Sequence, residues 1–229
     1  MINESVQIEQ KKRYDKDYFL MYKDDPKRMI MYKSELAHIE SFIPGGKILD
    51  IGCGIGHFLS QFSEEKWERY GVDVSELAIE AARSRGIKVN DFDKAYDYPP
   101  AYFDVIVFRG SLQLIPDPFA IINKSIELLK SGGMMVFLST PNSNSPYYRR
   151  FKTLPILTPH ANFLIPSDLM MRDLLQNYGL KILDIRFPYW GGPYAKPLRD
   201  YFYYFLSFFG VKKKFPFKKS SMQIYAQKP

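Results

Sequence analysis

The chain has 229 residues, 46% hydrophobic and 25% charged, enough to bury the core of one α/β domain with little left for a second. Its one cysteine, Cys53, excludes an internal disulfide, no stretch approaches the roughly 20 apolar residues of a membrane-spanning helix, and the polar start Met1-Ile2-Asn3-Glu4-Ser5 carries no apolar signal core, so a cytoplasmic location is expected. The net charge of +7 is concentrated at one end: residues 201–229 hold Lys212, Lys213, Lys214, Lys218, Lys219 and Lys228 and no acidic residue.

Residues 1–25 are polar and charged and read as a loose or cofactor-capping arm. Pro26 suits the first turn of a helix reaching about residue 42, with Met29, Leu36, Ile39 and Ile43 on one face, before Pro44-Gly45-Gly46 stops it. Residues 47–51 form a first strand that runs into Gly52, Gly54 and Gly56, with Asp50 two positions ahead of the first glycine. Glycines here allow positive φ and leave no Cβ between the backbone and a nucleotide-like ligand. A dinucleotide turn has the spacing G-x-G-x-x-G, and a phosphate loop ends in Gly-Lys-Ser/Thr. This turn is G-x-G-x-G and ends Gly56-His57-Phe58.

A helix is expected over 56–65, with Phe58, Leu59 and Phe62 inward, then a second strand over 69–72 that leads into Asp73. Ser75 caps a helix over 76–85, which Gly86 ends. A short third strand (88–89) and an apolar fourth (103–108) follow, then a helix over 118–130 and a fifth strand over 134–138. After Ser167 come a helix over 168–178, a sixth strand over 181–187 and a last strand over 222–226. Strands alternating with helices at this spacing mean βαβ units. Segment 140–165 is long, proline-rich and irregular, and it leaves the carboxyl end of the fifth strand, where ligands of open α/β sheets bind; it reads as a lid on an acceptor site.

The turn from Asp50 to Gly56, with Asp73 about 20 residues beyond it, resembles the first motifs of the class I S-adenosylmethionine-dependent methyltransferases. The resemblance runs through most of the chain. It implies an α/β, Rossmann-like fold: a seven-stranded, mostly parallel sheet with an antiparallel last strand and helices on both faces. It also implies one domain over 1–229, with an arm and helix (1–44), a cofactor half (45–139) and an acceptor half (140–229). The acceptor half would include the lid 140–165 and an aromatic-basic insertion, 188–221.

The implied cofactor is S-adenosyl-L-methionine. Asp50, Gly52, Cys53, Gly54 and Gly56 would approach its methionine part, Asp73 its ribose hydroxyls and Val74 its adenine. Asp91, beside Phe92, would accept from the adenine amino group, with Asp93 as the alternative. Phe108, Arg109 and Gly110 would run along the methionine moiety. Cys53 reads as a small buried residue rather than a nucleophile. Tyr98-Pro99-Pro100 resembles an amino-methylating motif but precedes the fourth strand instead of following it, and is set aside.

After the fourth strand, the subgroup resembling ubiquinone O-methyltransferases carries Leu-Glu-His before Pro-Asp-Pro. This chain has Leu112-Gln113-Leu114, so neither a histidine base nor a metal is expected at that position, and the three histidines are too scattered to suggest a metal site. His160, in the lid, is the remaining candidate base, since its ordinary pKa lies near neutrality; its other reading is a structural loop histidine. Tyr147 and Arg149 are further candidate acceptor contacts.

Trp190, the aromatic run 201–209 and the lysines of 212–219 have three readings: a peripheral membrane anchor through 196–219, a track for a polyanion, or a helix packed on the sheet edge or on a second copy. No nucleic-acid-binding module is recognisable. The outline is similar to methyltransferases of bacterial surface-polysaccharide pathways. The leading expectation is methyl transfer to an oxygen, with nitrogen second, of a small molecule or a free or lipid-linked glycan. The alternative is a non-catalytic cofactor-binding protein or membrane-surface adaptor, located in the cytoplasm or at the inner face of the membrane.

Overall fold

The computed structural model describes residues 25–94, 97–157 and 162–229; His160 and the side chain of Asp93 lie outside them. Helix α1 spans Pro26–Glu40, and Asp25 caps it by accepting the Lys27 N–H at 3.0 Å. Seven strands form one sheet: β1 (Gly46–Ile51), β2 (Trp67–Asp73), β3 (Lys88–Asp91), β4 (Phe103–Arg109), β5 (Leu129–Pro141), β6 (Lys181–Arg186) and β7 (Ser221–Gln227). Their order is β3-β2-β1-β4-β5-β7-β6. Strands β1 to β5 pair in parallel, and β7 is antiparallel to both β5 and β6.

Successive residues of the central strands feed two cores. On one face Leu49, Ile51, Ile106, Phe108 and Phe137 meet α3 (Pro118–Leu128) and α5 (Asp168–Asn177). On the other, Ile48, Val105, Val107 and Val136 meet α1 and α2 (Glu76–Arg83). Burial on both faces is why these strands read as unbroken apolar runs.

The helix expected over 56–65 does not form. Phe58, Leu59 and Phe62 are buried, as its inward face would be, but only a 3-10 turn, Leu59–Gln61, lies between them. Gly56 has φ +79°, outside the helical region, and β2 begins at Trp67, two residues before the expected strand. Too little chain is left for a full helix and its exits. Helix α3 stops at Leu128 and β5 starts at once, well before the expected 134. Strand β3 extends to Asp91, pairing Asp73 with Asp91.

The expected irregular segment after β5 contains a short helix, α4 (Pro146–Phe151), capped by Ser145 and ended by Lys152 at φ +53°. Its Tyr147 joins Leu154, Phe215 and Phe217 in a third, aromatic cluster, which also receives Tyr201 and Tyr204 of α6 (Pro197–Leu206). No helix among the described residues is long and apolar enough to cross a membrane.

Candidate active site

In the strand order, β1 lies between β2 and β4, so the connections leaving β1 and β4 depart to opposite sides and open a crevice at their carboxyl ends. The glycine turn sits there. Gly52 has φ +83°, and a Cβ on it would stand 2.6 Å from the Cβ of Ser111; at Gly56, φ +79°, a Cβ would stand 2.5 Å from Ile87. Any side chain at these two positions would push the turn away from β4 and α2. Ser111 locks the other wall by donating its hydroxyl to the carbonyl of Ile51.

Three carboxylates line the ends of β1, β2 and β3. Asp73 is 8% exposed and accepts the Gly54 N–H at 2.8 Å and the Ser75 N–H at 3.0 Å. Burial raises its pKa, against those backbone donors, and nearby Asp91 adds to the rise. Asp50 is 2% exposed, and its Oδ1 is buried with no hydrogen-bond partner. Burial pushes Asp50 up to about 7, with Arg109 opposing and Asp73 and Glu35 reinforcing. Val74 and Phe92 are half-buried beside this row.

Cys53 is buried, with its thiol pushed well above the ordinary range by burial and by Asp73 and Asp50. A thiol held neutral in this way is no nucleophile. Its Sγ packs where a side chain on Gly71 would have to go, at 2.6 Å.

The three residues expected after β4 take different places. The Phe108 ring is fully buried and stacks on Phe137 at 5.2 Å, so only its backbone reaches the crevice. The Arg109 guanidinium turns toward α1, where Nε meets Glu35 Oε2 at 2.8 Å and the group lies 4.3 Å from the Tyr32 ring centre. Burial works against its charge, but Glu35, Tyr32 and Asp50 outweigh that and hold it firmly protonated. Gly110 has φ +68°, and its N–H donates to Leu138.

Two polar residues have a place in the crevice that the sequence reading did not give them. Gln113 is 5% exposed; its Nε2 donates to the Gly110 carbonyl at 2.9 Å while Oε1 is buried without a partner. Asn142, just past β5, uses Oδ1 to accept from Asn144 and Asp168 and leaves Nδ2 without one. Asp50, Gln113 and Asn142 thus carry unsatisfied buried atoms at or just beyond the ends of β1, β4 and β5. Such atoms cost free energy unless a ligand or water meets them. Tyr147, expected at the acceptor, is buried in the aromatic cluster and donates to the Lys213 carbonyl at 3.2 Å. Arg149 donates to Asn144 at 2.5 Å. Among the described residues no group of three or more potential ligand side chains is arranged to hold a metal.

A glycine turn without room for side chains, a row of acids and an orphaned carboxylate oxygen together fit a cationic nucleoside-bearing ligand such as S-adenosylmethionine. The fold and crevice define the class: a class I S-adenosylmethionine-dependent methyltransferase. Residues 21–185 match the family described as "Methyltransferase domain", and the chain belongs to it, with S-adenosylmethionine as its cofactor.

Among curated proteins, it is 30% identical over 174 residues to a ubiquinone biosynthesis O-methyltransferase of Vibrio atlanticus, covering 68% of this chain and 70% of that one. The namesake from Idiomarina loihiensis is 34% identical over 108 residues, 44% of each chain. The chain thus spans less than half the length of one of these relatives and about two thirds of the other.

Among solved structures, a SAM-dependent methyltransferase from Archaeoglobus fulgidus superposes with a TM-score of 0.65 at 18% identity, over 93% of this chain and all of the other. Magnesium protoporphyrin IX methyltransferase of Synechocystis, solved with bound SAH, gives 0.66 at 15% identity over 97% and 100%. At such identities the likeness is one of fold.

Proposed function

We propose that the chain moves the methyl group of S-adenosylmethionine to an oxygen, with nitrogen second, of a small molecule or of a free or lipid-linked glycan. The observation that carries this is a pair of buried side-chain atoms without hydrogen-bond partners at or just past the ends of the adjacent strands β1 and β4, Asp50 Oδ1 and Gln113 Oε1, of which the first would meet the cofactor and the second the acceptor. Asp50 and the turn Gly52–Gly56, with Cys53 as packing, would hold the methionine part, together with the backbone of Phe108 and Gly110. Asp73 would take the ribose hydroxyls through its remaining lone pairs, and Val74, Asp91 and Phe92 would hold the adenine. When bound, the cofactor supplies an electrophilic methyl on a sulfonium, already a good leaving group.

The protein's part is then mainly positioning. Gln113 Oε1 can accept the hydrogen of an acceptor hydroxyl and so aim its oxygen, but an amide cannot remove the proton. His160 is the candidate for that step, from the lid. Arg109 keeps its charge away from the sulfonium by pairing with Glu35 and works as a positioning residue beneath the turn.

All of 1–229 acts as one unit in this reading, in the cytoplasm, with segment 196–219 toward a membrane-borne acceptor. Relatives named as ubiquinone biosynthesis O-methyltransferases support an oxygen acceptor. The test is transfer of labelled methyl into a fractionated cell extract by wild type and by Gln113→Ala. Label in one oxygen-methylated product, reduced at least about tenfold in the variant, is expected from loss of a buried hydrogen bond. Cofactor binding without any labelled product would favour the non-catalytic alternative.

A further inference from the structure

Helix α6 is inverted relative to an ordinary surface helix. Its inward side carries Asp200, fully buried, which accepts from the Tyr189 hydroxyl at 3.1 Å, the Lys196 N–H at 2.9 Å and Arg199 Nε at 2.9 Å. Tyr204 stacks on Phe217 at 4.4 Å on that side, and Ser207 is buried. Leu198, Phe202, Phe205 and Phe209 point outward, 93%, 56%, 58% and 72% exposed. Spacings of four and three residues place Leu198, Phe202 and Phe205 on one stripe of α6, and the 3-10 turn Ser207–Phe209 that continues it sets the Phe209 ring 5.3 Å from that of Phe205. Phe208 and Trp190 are also exposed. A contiguous apolar surface of this kind on a folded protein marks an interaction site.

The stripe ends in positive charge. Past Gly210 a cavity of about 520 Å³ is lined by Tyr147, Arg150, Lys212, Lys213 and Lys214, among others. No salt bridge among the described residues uses any of the three lysines. Arg150 joins the two features: it donates to the Ser207 carbonyl at 2.5 Å, and its guanidinium lies 4.7 Å from the Phe208 ring centre.

We infer that the α6 stripe and this basic cavity form a docking surface for an anionic phospholipid bilayer, the rings entering the headgroup boundary and the cavity receiving a lipid phosphate. Rings gathered on one side of one helix, with lysines at its end, divide the labour as an interfacial helix does. Nucleic-acid tracks interleave rings along a basic groove instead. Lysines at the rim favour an anionic partner over a second copy of a chain carrying +7. Helix α4, which supplies Tyr147 and Arg150, begins shortly after β5 ends, so the docked face adjoins the acceptor side. The inference deepens the reading of a lipid-linked acceptor and rests on it, but its test needs no turnover.

The test is sedimentation of the full chain with phosphatidylcholine vesicles, with and without one-third phosphatidylglycerol, at low and high salt. Wild type is expected to sediment with the anionic vesicles at low salt and to stay in solution with the neutral ones. Each lysine near an anionic surface is worth about fivefold in binding, so Lys212→Ala/Lys213→Ala/Lys214→Ala should weaken it about a hundredfold. Phe202→Ser/Phe205→Ser/Phe209→Ser should abolish it. Calorimetric S-adenosylmethionine binding unchanged in both variants would show that they fold. Wild type remaining in the supernatant, or variants sedimenting as it does, would overturn the inference. So would a lipid-free dimer dissolved by the phenylalanine variant, or binding to poly(U) without binding to vesicles. Vesicle binding by a wild type that fails to bind S-adenosylmethionine would instead remove the methyltransferase reading and leave the docking surface standing.

Discussion

Asp50 makes the ligand-free protein pay for its own binding site. Its carboxyl titrates near 3.8 when unfolded and at about 7 in the fold, where burial dominates. Between those values the native state holds a proton that the unfolded chain has lost, so stability falls as pH rises through that window. Asp73 shifts in the same direction, also by burial. For Asp50 the gap corresponds to about 4 kcal/mol at neutral pH and above. Asp50→Asn should therefore raise the urea midpoint of the ligand-free protein at pH 8 and flatten its decline between pH 4 and 7. It should also weaken S-adenosylmethionine binding roughly tenfold, the worth of a charge-assisted contact. Denaturation series at several pH values check the first part and calorimetry the second; an unaltered pH slope would assign the strain elsewhere. Asp73→Ala is expected to behave differently. It strips the Gly54 and Ser75 N–H groups of their acceptor, at about 1–3 kcal/mol each where buried, so the melting temperature should drop as well as the affinity. An affinity within threefold of wild type would exclude Asp73 from the ribose site.

At the scale of elements, one ion pair ties the N-terminal helix to the sheet. Glu35 of α1 is 2% exposed and meets Arg109 at the end of β4, with Gln223 of β7 donating to its Oε1 at 3.2 Å. Removing one partner leaves a buried charge alone, so Glu35→Ala should cost about 3–5 kcal/mol. Glu35→Leu/Arg109→Met should recover most of that, because the pair itself offsets little more than its own desolvation. Urea titrations of Glu35→Leu, Arg109→Met and the double complete the cycle, and strictly additive losses would show that the groups do not couple. Sequence could not reveal this pair. The apolar positions Met29, Leu36 and Ile39 located the buried face of α1, but Glu35 is buried only because Arg109, 74 residues later, meets it. Arg109 accordingly read as a cofactor contact. The missing helix after Gly56 has a similar origin: Phe58, Leu59 and Phe62 have the right spacing and the right burial, but the turn and the early start of β2 leave no length for a helix. Gln113 was legible only as a departure from a motif; its orphaned oxygen appears once β4 ends and Gly110 takes its amide nitrogen.

Across the whole molecule the two halves differ in how much a linear reading can recover. The part up to β5 is built from local signals, such as β1 ending in the glycine turn and β2 and β3 ending in acids, and these survive as motifs. After β5, helix α5 and strands β6 and β7 are still legible, but the aromatic cluster of Tyr147, Leu154, Tyr201, Tyr204, Phe215 and Phe217 meets only in the fold and obeys no spacing. The candidate cofactor crevice lies at the ends of the adjacent strands β1, β2 and β3, so a ligand bound there should brace several strands rather than one loop. A ligand at a hundred times its dissociation constant adds about 2.7 kcal/mol to the native state. In a domain of this size each kcal/mol moves the midpoint by about 2–4 °C. S-adenosylmethionine and S-adenosylhomocysteine at such saturation should therefore raise the melting temperature by about 5–11 °C. ATP and NAD should leave it unchanged, because the turn Gly52–Gly56 has no lysine to meet a phosphate and faces a row of carboxylates. Differential scanning fluorimetry with the four ligands reads this directly. The shift should vanish in Asp73→Ala at the same ligand concentration. An equal shift from NAD would mean that the crevice binds a dinucleotide and that the spacing of its three glycines does not select the methyl donor.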